Sequence, residues 1–145
     1  MKRITIAEQE PAAYKGMYEL ESYIRKSQIE PILRELIKIR ASQINGCAYC
    51  IDMHTQEAMK LGETQRRIFA LSAWKESPLF TEKEKAVLQL TEEVTLISVN
   101  GLSNEAYNKV LELFGENILA QIIMQVVIIN SWNRIAVSTH EIFEG

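Results

Sequence analysis

Residues 44–54 read INGCAYCIDMH, and this stretch connects the end of one predicted helix to the start of the next. Asn45 and Gly46 are typical of a helix end, because glycine adopts the left-handed backbone that stops a helix. From Cys47 onward the apolar spacing is helical again as far as Gly62. The stretch therefore predicts two helices joined by a very short turn, which favours an antiparallel hairpin.

Helical spacing also recurs through the rest of the chain, while the alternation typical of strands is nearly absent. One cap signal is Thr81 followed three residues later by Glu84, which is typical of a capping box. The predicted helices cover residues 11–26, 31–44, 47–61, a segment capped by Thr64, 81–100, 103–115 and about 117–143. We therefore expect an all-α fold, a single-domain helical bundle of about six or seven helices that spans residues 1–145.

The composition excludes several classes of function. The chain has 145 residues, of which 47% are hydrophobic and 24% charged, and its formal net charge is −3. These values are ordinary for a globular domain and provide no basic surface for nucleic acid or an anionic membrane. The most apolar run, residues 118–129, is shorter than the roughly twenty residues that a membrane-spanning helix needs. Because the N-terminal residues are also too polar for a signal peptide, we expect a soluble cytoplasmic protein.

Two cysteines and a histidine lie on one face of the predicted third helix. In the reducing cytosol, a close pair of cysteines is more often catalytic or metal-binding than structural. Cys47, Cys50 and His54 follow helical spacing, so their side chains share a stripe. The thiols are one turn apart, close enough for a disulfide, and the free N–H groups of the first turn favour a thiolate. His54 can accept or donate the proton.

A carboxylate on the preceding helix is predicted to lie nearly level with His54. Glu35 lies eleven residues before Gly46, and His54 lies eight residues after it. In an antiparallel hairpin these separations correspond to roughly 16 Å and roughly 12 Å along the two helix axes. We therefore expect Glu35 to orient His54 and to raise its basicity, as a third group does in many nucleophile–base pairs.

These residues resemble a known active-site pattern. Glu35, eleven residues, Cys47, two residues, Cys50, three residues and His54 match the alkylhydroperoxidase D-like branch of the carboxymuconolactone decarboxylase-like superfamily. Residues 44–50, 61–64 and 129–134 are also similar to that family, and the resemblance covers about residues 15 to 143. The resemblance implies an all-helical fold, a homo-oligomer and thiol-dependent reduction of peroxides.

The resemblance also implies a role for each residue. Cys50 would be the thiolate that becomes a sulfenic acid, Cys47 the proton donor and resolving thiol, and Glu35 with His54 the proton relay. The expected partners are a hydroperoxide substrate and an external thiol or dithiol reductant, such as a lipoyl- or thioredoxin-type protein; no cofactor is expected. We expect a hexamer made of three dimers. Tyr49 departs from the pattern, because the best-known members carry a second histidine there.

The residues alone leave alternatives open. They do not assign the cysteine roles, because Cys47 is nearer the helix start and Cys50 is nearer His54. A zinc site could use the two cysteines and His54, with Glu35 or His140 as the fourth ligand. The cysteines could also be small buried hydrophobes, or the switch of a non-enzymatic redox sensor or partner-binding protein. Decarboxylation of a ring lactone is disfavoured, because that chemistry does not need a dithiol.

The last predicted helix is apolar enough to suggest contact between subunits. Between residues 118 and 129 it is apolar in almost every direction, apart from Gln121 and Gln125. A surface helix normally buries a single stripe, and exposing the remainder would make a larger apolar patch than monomers usually tolerate. The helix could be central and wrapped by the others, but we favour subunit contact, which predicts a homo-oligomer.

Overall fold

The computed structural model describes residues 1–143, and every regular element in this part of the chain is helical. The α-helices are α1 (Ile6–Gln9), α2 (Pro11–Arg25), α3 (Pro31–Asn45), α4 (Ala48–Lys60), α5 (Gln65–Ala70), α6 (Glu82–Thr95), α7 (Ile97–Asn100), α8 (Asn104–Phe114) and α9 (Glu116–Thr139). A 3₁₀ turn, Leu71–Ala73, follows α5. The predicted all-α class is confirmed.

The last helix, α9, lies at the centre of the fold. It packs against α2, α3, α4, α6 and α8. Its side chains Ile122 and Val126 share a buried cluster with Ile37 of α3 and Leu90 of α6. By length and composition alone, α9 could cross a membrane. It also packs against five other helices of the chain.

The position of α9 changes the argument for subunit contact. Among its large apolar residues between 118 and 129, Val127 is the one exposed by more than a third, at 41%. The other helices cover most of the remainder. Packing within the chain therefore accounts for much of the apolar surface of α9, and Ile118, Ile123, Met124 and Val127 remain partly or largely exposed. The homo-oligomer itself stays a prediction.

Helices α3 and α4 form the hairpin that the Asn45-Gly46 signal predicts. Gly46 has the left-handed conformation, with φ 66° and ψ 35°. The backbone N–H of Cys47 donates to the carbonyl oxygen of Ser42 at 3.0 Å, which closes the end of α3. Cys47 is extended and is the N-cap residue of α4. Because the turn uses so few residues, α3 and α4 pack directly against each other.

Amide side chains fasten this turn to α9. The Nδ2 group of Asn45 donates to the Oδ1 atoms of Asn130 and Asn133, both at 2.9 Å. Asn133 donates in turn to Ser42 Oγ at 3.0 Å, and Asn130 donates to Thr95 Oγ1 at 3.1 Å. The network joins α3, α6 and α9 at the end of the bundle that carries the cysteines.

Among residues 1–143, α1 lies outside the predicted helices, most helix ends differ from the predicted ones by one residue, and two predicted helices differ more. The predicted helix 81–100 is interrupted at Leu96, whose φ of −97° and ψ of 37° leave the helical region. Ile97 therefore belongs to α7, where it is 58% exposed. The last helix ends at Thr139 because His140 takes the left-handed conformation, with φ 55°.

We predict that Asn133→Ala destabilises the protein by roughly 1–3 kcal/mol, because it leaves buried partners of the amide network without hydrogen bonds. Asn133 is only 1% exposed. Urea unfolding measures the change. The matched control is Asn108→Ala on the exposed side of α8, which should change the free energy of unfolding by less than about 0.5 kcal/mol. Equal changes in the two variants would contradict a structural role for the network.

Candidate redox site

The two cysteines form a disulfide at the start of α4. Their Cα atoms are 5.3 Å apart, which is within the usual range for natural disulfides. Cys47 and Cys50 are 1% and 3% exposed, and they pack with Ala136 of α9 and with Tyr49. The first turn of α4 therefore holds the two sulfur atoms at bonding distance, and both cysteines are almost completely buried.

The first turn of α4 also hydrogen-bonds one of the sulfur atoms. The Sγ atom of Cys47 accepts the backbone N–H of Cys50 at 3.2 Å. Cys47 therefore occupies the cap position where a serine, threonine or aspartate oxygen usually accepts this N–H. In the reduced protein, the same N–H and the positive end of the helix dipole favour a thiolate over a thiol.

Glu35 and His54 meet between α3 and α4. The Nδ1 atom of His54 lies 3.3 Å from Oε2 of Glu35, and the side chains are 12% and 7% exposed, respectively. The other carboxylate oxygen of Glu35 accepts a hydrogen bond from Lys38 Nζ at 2.9 Å. The antiparallel hairpin about Gly46 brings the carboxylate and the imidazole together, as the count of residues from the turn indicates.

A second carboxylate, absent from the recognised motif, faces the same nitrogen atom. The Oε2 atom of Glu57 lies 3.2 Å from Nδ1 of His54 with hydrogen-bond geometry, and the Glu57 side chain is 46% exposed. Oε2 of Glu35, although only slightly further away, is buried without a well-directed hydrogen bond. The i, i+3 spacing of His54 and Glu57 on one helix is the sequence signal that could have identified this contact.

The two carboxylates govern the ionisation of His54. Burial alone lowers the pKa of an imidazole, and the nearby Lys38 ammonium lowers it further. The interactions with the Glu35 and Glu57 carboxylates outweigh both effects, so the pKa of His54 is raised above its ordinary value of 6.5. In return, the hydrogen bond with His54 lowers the pKa of the Glu57 carboxyl. The site therefore retains a proton on His54 to higher pH than a free imidazole would.

Glu35, His54 and Glu57 also form a group whose ligand atoms are close enough together to bind one metal ion. Atoms of Glu35, His54 and Glu57 all lie within 4.8 Å of one another. Within residues 1–143 this set differs from the zinc ligands considered above, because the bonded cysteines offer no thiolate and His140 is exposed on the surface. The 3.2 and 3.3 Å separations also suit one imidazole nitrogen shared between two carboxylates.

An aromatic cluster lies near Tyr49, the residue that packs on the cysteines. The ring centroids of Tyr14 and Tyr18 of α2 lie 5.5 and 5.9 Å from that of Trp132 on α9. Burial raises the pKa of the Tyr14 and Tyr49 hydroxyls, and the nearby Glu141 carboxylate raises both further. Tyr49, which packs on the cysteines, is therefore close to this cluster and carries a phenol that stays protonated at neutral pH.

The fold and the site define an all-helical dithiol protein in which a Cys-x-x-Cys pair begins one helix of a hairpin and a Glu–His pair bridges its two helices. The model of the carboxymuconolactone decarboxylase family matches residues 11–93, which include Glu35, both cysteines and His54. The chain belongs to the carboxymuconolactone decarboxylase family, and within it to the alkylhydroperoxidase D-like branch.

Relatives over nearly the full length support this assignment. The uncharacterised protein YdfG of Bacillus subtilis is 44% identical over 137 residues, which cover 94% of this chain and 93% of that protein. A protein of unknown function from Agrobacterium tumefaciens, for which an AhpD role in antioxidant defence has been suggested, is 37% identical with a TM-score of 0.96. That match covers 100% of this chain and 99% of the other.

A more distant structure shares the fold alone. The debrominase Bmp8 is 19% identical with a TM-score of 0.84, and the match covers 95% of this chain and 74% of that one. At this identity the likeness carries no information on the reaction of the present protein. It does indicate that the helical framework accommodates large divergence in sequence.

We predict that the His54 imidazole titrates with a midpoint above 6.5, because its carboxylate partners bind the protonated ring. In Glu35→Gln the midpoint should fall, since one anionic partner is lost. Proton NMR across pH measures both midpoints, and His140→Asn assigns the signals because the chain has 2 histidines. A midpoint at or below 6.5 in the parent protein would contradict the ion cluster.

Proposed function

We propose that this protein is an antioxidant thiol-dependent peroxidase, an oxidoreductase that reduces hydroperoxides by a dithiol–disulfide cycle of Cys47 and Cys50. The observation that carries the proposal is the 3.3 Å approach of the Glu35 carboxylate and His54 on the hairpin whose second helix begins with the cysteine pair. A cysteine pair with only a structural role would not require a buried, ionisable pair one turn away.

The oxidative half of the cycle starts from the reduced protein. The Cys50 thiolate attacks the terminal peroxide oxygen, so an S–O bond forms, the O–O bond breaks and an alkoxide leaves. The alkoxide takes a proton and departs as an alcohol, leaving Cys50 as a sulfenic acid. The Cys47 thiolate then attacks the Cys50 sulfur, so that the disulfide forms and hydroxide leaves, becoming water on protonation. Two thiols are oxidised and one hydroperoxide is reduced.

The Glu35–His54 pair is the proposed proton relay for these steps. It accepts the proton when a buried thiol ionises, and it returns a proton to the leaving alkoxide or hydroxide. The raised pKa of His54 suits the second of these tasks, because the ring keeps a proton that it can donate to the leaving group. The family resemblance, together with the position of Cys50 one turn from His54, supports Cys50 as the nucleophile and Cys47 as the resolving thiol.

An external thiol or dithiol completes the cycle by exchange with the disulfide, and a lipoyl- or thioredoxin-type protein in the cytoplasm is the proposed donor. The two sulfur atoms are almost fully buried in the disulfide form. This burial favours one alternative, a redox sensor in which the same disulfide changes an interface and turnover is negligible. Measuring turnover separates the two functions.

We predict steady-state consumption of an organic hydroperoxide when the protein is supplied with dithiothreitol, with one intramolecular Cys47–Cys50 disulfide per chain found by non-reducing peptide mapping. Cys50→Ser should abolish consumption, since it removes the nucleophile. In the absence of dithiothreitol, Cys47→Ser should consume one equivalent of hydroperoxide and stop at the Cys50 sulfenic acid, which dimedone traps. Stoichiometric disulfide formation without turnover would favour the sensor, and thiols left unmodified by peroxide would contradict both functions.

We also propose a homo-oligomer, with a hexamer as first choice. Large apolar side chains remain exposed outside the core, among them Phe69 at 76% and Val99 at 67%. Such residues are candidates for subunit contacts.

We predict a mass well above that of one chain by light scattering on a sizing column at micromolar concentration. The apolar surface left exposed by the fold supplies the driving force for association. A mass near 16.6 kDa would contradict the oligomer, because that is the mass of a single chain.

A further inference from the structure

We propose that Glu57 is a positioning residue that completes a Glu35–His54–Glu57 relay, holding the His54 ring and connecting it to solvent. Its importance for turnover rests on the proposed function of the dithiol, but its effect on His54 does not. The motif that identifies the family contains Glu35, both cysteines and His54; Glu57 lies outside it.

The three side chains form a path from the interior to the surface. The side chain of Glu35 is 7% exposed, that of His54 is 12% exposed and that of Glu57 is 46% exposed. Both carboxylates approach the same atom, Nδ1 of His54, at 3.3 and 3.2 Å. Of the three groups, Glu57 is therefore the one that exchanges protons readily with water.

The hydrogen bonding shows which carboxylate holds the ring in the disulfide form. The contact of Nδ1 with Glu57 has hydrogen-bond geometry, while Oε2 of Glu35 has no well-directed partner. A small rotation of the ring or of Glu35 would transfer this hydrogen bond to Glu35. His54 thus lies between an inner and an outer acceptor that compete for one N–H.

Two positively charged side chains stabilise the carboxylates at the two ends of the relay. Lys38 on α3 donates to Oε1 of Glu35 and fixes the inner carboxylate. Arg25 of α2 is near enough to favour the ionised form of Glu57, as Lys38 also does. Glu35, Lys38, Glu57 and Arg25 are the charged groups that act on this site from α2, α3 and α4. Neither cation hydrogen-bonds to His54; the two carboxylates favour its charged form, and burial and Lys38 oppose it.

A buried disulfide needs such a connection when it is reduced. Thiolate from dithiothreitol attacks one sulfur, the Cys47–Cys50 bond breaks, and the released cysteine sulfur leaves as a thiolate that takes a proton. The second dithiothreitol thiol loses its proton, attacks the mixed disulfide and releases the other cysteine. Cys47 and Cys50 are 1% and 3% exposed, so we expect neighbouring groups to carry protons to and from their sulfur atoms. Glu57 is the group that replenishes the relay.

The test compares Glu57→Gln with the parent in reduction of the disulfide by dithiothreitol, followed by non-reducing mass analysis across pH. The glutamine keeps the size of the side chain but carries no exchangeable acidic proton. We expect the rate at neutral pH to fall by roughly tenfold, the factor that corresponds to one pKa unit. We also expect the NMR titration midpoint of His54 to move down, and Glu57→Asp to restore part of both properties.

Small carboxylic acids distinguish a proton-exchanging role from a merely structural one. Added acetate should restore the rate of Glu57→Gln in proportion to its concentration, and should leave the parent rate unchanged. The matched control is Asp52→Asn, which removes one negative charge from the same helix at a side chain that hydrogen-bonds Gln56 instead. Its rate should stay within about twofold of the parent, since residues two apart on a helix do not face each other.

Three outcomes would overturn the proposal: a parent-like rate in Glu57→Gln, a slow rate that acetate does not change, or an unmoved His54 titration. The reduction reaction uses no peroxide. If the parent fails to consume hydroperoxide while Glu57→Gln still shows the slow, acetate-dependent reduction, the proposed peroxidase function fails and the role of Glu57 stands.

Discussion

The turn at Gly46 is the constraint on which the site depends. A left-handed glycine ends α3, Cys47 immediately caps α4, and the two helices run back along each other with almost no connecting chain. Any residue with a Cβ atom would be strained in this left-handed backbone conformation, whereas glycine adopts it readily. This short connection puts Glu35 and His54 level, and it places the cysteines at a helix N-terminus beside α9. The amide network of Asn45, Asn130 and Asn133 keeps the turn in place.

The buried charges at the site stabilise each other over a limited range of pH. The raised pKa of His54 means that the folded state binds this proton more tightly, so the stabilisation is complete below pH 6.5 and is lost as pH rises through the raised pKa. The lowered pKa of Glu57 acts in the opposite sense. Its contribution is present above pH 4.5 and is lost as pH falls through the lowered value. The cluster is therefore strongest between these limits, where a proton on His54 is also available for chemistry.

Local signals were sufficient to predict the hairpin and the meeting of Glu35 with His54. Capping residues and glycines mark helix ends, and residue counts from a tight turn fix which side chains lie level. No comparable local signal in the sequence indicates which helices pack against each other. The apolar circumference of α9 is compatible with a core helix or a subunit interface, and only the tertiary contacts show that other helices cover most of it. Glu57 belongs to no recognised motif, although its i, i+3 spacing from His54 is evident in the sequence.

The central claim is that the Glu35–His54 pair activates the buried dithiol. The most direct test is the pH dependence of alkylation of the reduced protein by iodoacetamide, measured by mass for the parent, Glu35→Gln and His54→Ala, with His140→Ala as the exposed-histidine control. The account predicts that both site variants need a pH higher by about one unit or more to reach the same rate, while the control follows the parent. Superimposable profiles for the parent and both site variants would contradict it.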